Sequence, residues 1–171
     1  MRRESGFTLI ELLMVVAILG ILASMAILNV WRARSAANEG AAIGTMRTII
    51  SGQIAYSATC GGGNFGADFT ALGPQPLSPQ PFLPPDLTSA ATLQKSGYTF
   101  AMGPALTSVA GANDCNGIPT ETGYYATAIP SLFGTTGGRS FGTNSAADAI
   151  WQIFDPLAPP EPFAAPAMPL Q

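Results

Sequence analysis

From Phe7 to Val30 the chain reads FTLIELLMVVAILGILASMAILNV, an unbroken apolar run that holds one charged residue, Glu11. At about 1.5 Å per residue it spans roughly 36 Å as a helix, more than the ~30 Å hydrocarbon core of a bilayer. A short charged leader, MRRESG, precedes it. The apolar part is too long for a secretory signal peptide, and no small-residue cleavage site closes it. A carboxylate buried near the end of such a segment is costly unless something pairs with it, so Glu11 demands an explanation.

Composition suits a membrane helix followed by one modest domain. The 171 residues are 10% charged and carry 19 glycines, 15 prolines and no histidine. Their length beyond the run allows a single globular unit. The net charge of −3, with no basic cluster, speaks against binding nucleic acid through its phosphates. The absence of histidine removes the commonest general base and metal ligand.

Inside the run, Gly20 and Ser24 are small residues four apart, with Ala17 and Ala23 nearby. Such spacing lets helices approach closely, although glycine and alanine are also simply common in membrane helices. Past Val30 the helix is expected to continue from Trp31 to about Tyr56 as an amphipathic segment. Ile43, Met46, Ile50 and Ile54 fall at helical spacing and form its expected core stripe. Cys60-Gly61-Gly62-Gly63-Asn64 then ends it: no GK[ST] follows, so this is turn chemistry rather than a phosphate cradle.

From Phe65 to Thr92 closely spaced prolines (Pro74, Pro76, Pro79, Pro81, Pro84, Pro85) predict a surface loop. Four candidate strands follow: Gly97 to Gly103, Thr122 to Phe133, Arg139 to Ser145 and Ala149 to Asp155. Separated by Gly-rich or polar turns, they read as an antiparallel meander covering the amphipathic half of the helix. The last stretch, PLAPPEPFAAPAMPLQ, reads as an extended tail, more disordered than docked, with Phe163, Met168 and Leu170 available to dock it.

GFTLIEL, preceded by Arg2 and Arg3 and followed by the apolar run, closely resembles the class III signal of type IV pilins and type II secretion pseudopilins. The resemblance covers about the first thirty residues, because the rest of the chain diverges widely in that family. It implies an α+β, pilin-like fold: a long N-terminal helix, its hydrophobic half transmembrane, packed on a three- to four-stranded antiparallel sheet. The expected divisions are a leader (1–6), the membrane and filament-core half of the helix (7–30) and its amphipathic half (31–57). A Gly/Pro-rich loop (58–96), a sheet head (97–155) and the tail (156–171) follow.

By position, a membrane-embedded prepilin peptidase would cut between Gly6 and Phe7 and methylate the new amine of Phe7. Glu11 has two readings. As an acid in the first turn it complements its own helix dipole, four residues from the Phe7 amine. In the reading the resemblance favours, it meets the Phe7 amine of a neighbouring subunit and sets the axial register of a filament. The implied partners are further copies of the chain, the peptidase/N-methyltransferase, inner-membrane assembly machinery and the membrane, with no nucleic acid. The protein would sit in the inner membrane as a single-pass chain with its N-terminus cytoplasmic, then in an extracellular pilus or a periplasmic pseudopilus.

In those oxidising surroundings Cys60 and Cys115, the only cysteines, are expected to form a disulfide. Closing the loop between them would contribute at most roughly 4 kcal/mol in the chain-entropy model. No catalytic constellation emerges, and no cofactor is called for. The acids Asp68, Asp86, Asp114, Glu121, Asp148, Asp155 and Glu161 are scattered singly, and Lys95 and Arg139 stand alone, in solvent or in surface ion pairs. The stretches Asn113 to Asn116 and Asn144 to Asp148 offer oxygens but lack the alternation of an EF-hand, so no metal site is assigned. Two function classes remain: a structural subunit of a type IV pilus-like filament, with the pseudopilus as its alternative, and a tethered binding or catalytic domain. A tether needs neither a processed amine nor a buried acid, which favours the subunit.

Overall fold

The computed structural model describes residues 6–76, 80–147 and 149–170. The leader ahead of Gly6, together with Pro79, Asp148 and Gln171, lies outside them. The chain divides into two compact units, Met1–Arg34 and Ser35–Gln171. One helix, α1 (Leu9–Thr59), begins in the first and continues into the second, without a break at Gly20 or Asn29. In the first unit it is long and apolar enough to cross a membrane, and none of that stretch is buried within the protein.

The second unit is α+β. Among the described residues nine strands follow α1: β1 (Phe65–Gly66), β2 (Thr92–Lys95), β3 (Tyr98–Pro104), β4 (Ala110–Asn113), β5 (Pro119–Glu121), β6 (Tyr124–Pro130), β7 (Ser140–Asn144), β8 (Trp151–Ile153) and β9 (Met168–Pro169). Six form an antiparallel sheet in the order β2-β3-β6-β7-β8-β9, and β1-β5-β4 form a smaller one. The expected meander is therefore the centre, β3-β6-β7-β8, of a wider sheet. Alternation is regular along β3, where Tyr98, Phe100 and Met102 are buried; β6 buries Tyr124, Ala126 and Ala128 with Thr127 buried between the last two.

The buried stripe of α1 runs through Ala42, Thr45, Met46, Ile49, Gly52, Gln53 and Tyr56, and Cys60 continues it just past the helix end. It is rotated from the expected one: Met46 is buried, Ile43 and Ile50 are half-buried at its margin, and Ile54 is 59% exposed. Gln53 misleads a hydrophobicity count because both ends of its amide are used. Its Nε2 donates to the Gly66 carbonyl at 2.9 Å and its Oε1 accepts from the Gly66 N–H at 3.0 Å. Satisfied in this way, a polar side chain can occupy a core position.

The Gly/Pro-rich stretch is more than a surface loop. Short 3-10 turns at Thr70–Leu72 and Pro85–Leu87, with the segments around them, deliver Phe69, Leu72, Leu83 and Leu87 to the core. Leu83 lies so close to α1 that a Cβ on Gly52 would sit 2.5 Å from its Cδ2. A larger residue at Gly52 would force the buried Leu83 side chain to shift.

The tail is docked, not free. β9 pairs with β8, and the Leu170 N–H donates to the Ile150 carbonyl at 2.7 Å. Phe163 stacks on Trp151, centroids 5.4 Å apart, and also meets Tyr125. β7 is accordingly buried along both faces. Phe141 joins the core over α1, while a Cβ on Gly142 would meet Phe163 and Pro159 at 3.2–3.3 Å.

Candidate assembly site

α1 is started by Thr8, the residue before its first turn. The Thr8 carbonyl accepts the Leu12 N–H at 3.2 Å, and Thr8 Oγ1 accepts the Glu11 N–H at 3.3 Å. The Thr8 hydroxyl in turn donates to Glu11 Oε2 at 3.4 Å. Thr8-Leu9-Ile10-Glu11 thus has the spacing of a capping box, with the glutamate closing on the hydroxyl of the cap instead of its backbone N–H. Sequence reasoning missed this cap, although its T-x-x-E signal lies within GFTLIEL. Phe7 precedes the cap and is 71% exposed. Among the described residues Glu11 belongs to neither of the two ion pairs, Lys95–Asp86 and Arg139–Glu39.

Downstream, the polar groups within the apolar run are turned back on the helix. The Ser24 hydroxyl donates to the Ile21 carbonyl at 2.8 Å, and Asn29 Nδ2 to the Met25 carbonyl at 3.4 Å. Neither needs water, as a lipid or helix-packed setting requires. Leu9, Val16, Leu19, Leu22 and Val30 are all exposed. A continuous apolar surface of this kind marks a membrane or protein contact.

Residues 1–27 match the family model of the prokaryotic N-terminal methylation motif. The N-terminus is a class III prepilin signal. Neither the curated proteins nor the solved structures gave a match to this chain. That match takes in Gly6, Phe7 and Glu11 and ends within the apolar run.

Away from the prepilin signal, the chemistry-bearing side chains of the second unit serve as fasteners. Cys60 and Cys115 form a disulfide, joining the end of α1 to the turn between β4 and β5. The Cys115 N–H donates to the Cys60 carbonyl at 3.0 Å, so the backbones meet as well. Beside the bridge, Asp114 Oδ1 accepts the N–H groups of Asn116 and Ile118, each at 2.8 Å, and Oδ2 accepts the Tyr56 hydroxyl at 2.8 Å. Burial pushes the Asp114 carboxyl up, but the Ile118, Tyr56 and Asn116 hydrogen bonds outweigh it and hold it below the usual carboxylate range. Tyr56 is pushed above its ordinary value by burial and then by the neighbouring carboxylate.

Arg139 and Lys95 stand differently. Lys95 pairs with Asp86 at 2.6 Å on the surface, a contact of little energetic weight. Arg139 is largely sequestered: its Nε and Nη2 both reach Glu39 Oε2, at 2.8 and 2.6 Å, and Nη1 donates to Gln152 Oε1 at 2.8 Å. Glu39 Oε1 accepts the Gly138 N–H at 2.8 Å. The sequence puts Arg139 in solvent or in a surface ion pair; its pair with Glu39 is instead largely sequestered and joins α1 to the start of β7. Among the described residues no group of three or more Cys, Asp or Glu comes together in metal-binding geometry.

Proposed function

We propose that this protein is a structural subunit of a type IV pilus-like filament, cut after Gly6 by a prepilin peptidase, methylated at Phe7 and assembled through α1. The observation that carries the reading is the prepilin signal directly preceding an exposed apolar helix with a lone acid in its first turn. Such a helix serves twice: in the bilayer it holds the subunit, and in a filament it packs against other copies. Glu11 is the register pin in this reading. The Thr8 hydroxyl orients its carboxylate in the free subunit, and the methylated, still cationic Phe7 amine of a neighbour is its partner in the filament. The second unit is a structural head, its reactive side chains engaged in fastening.

Electron microscopy of sheared cell-surface filaments, with mass spectrometry of the N-terminus of their subunits, tests this. Filaments built of chains beginning at N-methylated Phe7 are expected. The same processed terminus in material confined to the periplasm would assign the protein to a type II secretion pseudopilus. A chain that keeps its leader would remove the filament reading.

A further inference from the structure

The Gly6–Phe7 bond stands just outside α1, and the way Thr8 begins the helix keeps it there. Gly6, Phe7 and Thr8 are non-helical, and α1 starts at Leu9. Were the helix continued backwards, the Glu11 N–H would donate to the Phe7 carbonyl, four residues before it, and the Ile10 N–H to the Gly6 carbonyl. Instead the Glu11 N–H goes to Thr8 Oγ1 at 3.3 Å, and the Leu12 N–H goes to the Thr8 carbonyl at 3.2 Å. The threonine hydroxyl thus takes the place of the Phe7 carbonyl. Its own proton goes to Glu11 Oε2, which leaves the oxygen lone pairs for the Glu11 N–H.

Among the described residues no backbone N–H donates to the carbonyl of Gly6 or of Phe7. The bond is also bare: Gly6 and Phe7 are exposed, and a Cβ on Gly6 would meet nothing within 4 Å. Hydrolysis there adds water to the Gly6 carbonyl carbon and breaks the C–N bond. The hydroxyl stays on Gly6 as its new carboxyl group, and the proton goes to the departing Phe7 nitrogen. A carbonyl bonded inside a helical turn is shielded by that turn, and its peptide has no free groups to pair with an enzyme.

We propose that Thr8 is a positioning residue for prepilin processing: by supplying the acceptor for the Glu11 N–H, it holds the Gly6–Phe7 peptide out of the helix, in the open form a peptidase needs. Without that hydroxyl the Glu11 N–H turns to the Phe7 carbonyl, and one further residue of extension engages the Gly6 carbonyl itself. Loss of one cap shifts such a local equilibrium by about fivefold, so processing slows without stopping. The inference rests on cleavage after Gly6 and not on filament assembly.

Cleavage of the full chain by a prepilin peptidase in detergent tests this. Thr8→Val keeps the shape of the side chain and removes the acceptor, whereas Thr8→Ser and Thr8→Asn keep an acceptor on a different shape. Thr8→Val should raise KM by up to about fivefold with kcat little changed, because only chains with the bond open can bind. Thr8→Ser and Thr8→Asn should stay within about twofold of the unsubstituted chain. The Cα chemical shift of Phe7 should move toward its helical value in Thr8→Val and hold still in the other two. Unchanged cleavage of Thr8→Val, or a Phe7 shift that does not move in it, overturns the proposal. Slowing by Ser and Asn equal to that by Val also overturns it, since the peptidase would then be reading the threonine side chain directly. An unsubstituted chain that is not cut at all removes the processing reading, and this proposal with it.

Discussion

Glu39 and Arg139, a hundred residues apart, form the less exposed of the two ion pairs among the described residues: one carboxylate oxygen takes two guanidinium N–H groups, and the other takes the Gly138 N–H. The side chains are 12% and 28% exposed, so each would leave a poorly hydrated charge behind if its partner were removed. Glu39→Ala or Arg139→Ala is expected to cost about 2–4 kcal/mol. Thermal unfolding of the full chain in detergent measures it. Glu39→Leu combined with Arg139→Met should recover much of the loss, because it removes both charges and keeps volume.

Asp114 sets an acid limit on the fold. Its carboxyl lies below the ordinary value in the folded chain, so the stability it contributes is fully present above the unfolded value of about 4. That contribution disappears as pH falls through the depressed folded value. Asp114→Asn puts an amide where three donors converge and should cost about 1–3 kcal/mol at neutral pH. It should also flatten the stability curve below about pH 4, as read by denaturant titrations across pH. Reduction of Cys60–Cys115 is expected to lower stability further, by up to roughly 4 kcal/mol.

Thr8 and Glu11 separate capping from assembly. Thr8→Ala removes the cap and should cost about 1 kcal/mol of helix stability while leaving filaments intact. Glu11→Ala should yield processed, membrane-held protein without filaments. Immunoblots of cell and sheared fractions distinguish the two, and a normal filament yield from Glu11→Ala would remove the register role.

Phe163 should prove structural. Phe163→Ala forfeits the stack on Trp151 and uncovers Gly142 and Tyr125, at an expected cost of about 2–4 kcal/mol. Tyr125, whose hydroxyl donates to the Pro159 carbonyl and whose pKa is pushed up to about 12 by burial and the nearby Glu161, should then titrate lower. Ultraviolet difference spectra in alkaline solution follow this directly.

The prepilin signal and the central strands were legible because each is a local pattern: a fixed heptapeptide before an apolar run, or alternating aromatics between turns. What escaped depends on distant partners. Gln53 is a core residue only because Gly66 satisfies it, and the stripe of α1 was misplaced for lack of that knowledge. Phe69 and Leu83 sit among prolines that mark loops, yet 3-10 turns bring them inward. The tail looked unable to fold because its composition suits no regular element. Its order comes from Trp151, Tyr125 and the bare face of Gly142, residues whose need for cover is visible only once β7 lies between β6 and β8.

The position of β9 has a consequence for timing. It closes the β8 side of the sheet with Met168 and Pro169, which are synthesised after β1 to β8 and, in a chain anchored by α1, cross after them. Until they arrive, the backbone of β8 has an open edge and β7 lacks its second cover. Closure of the sheet is thereby coupled to delivery of β9: a chain stalled or clipped ahead of Met168 stays sticky along β8, while one that has delivered β9 seals that edge.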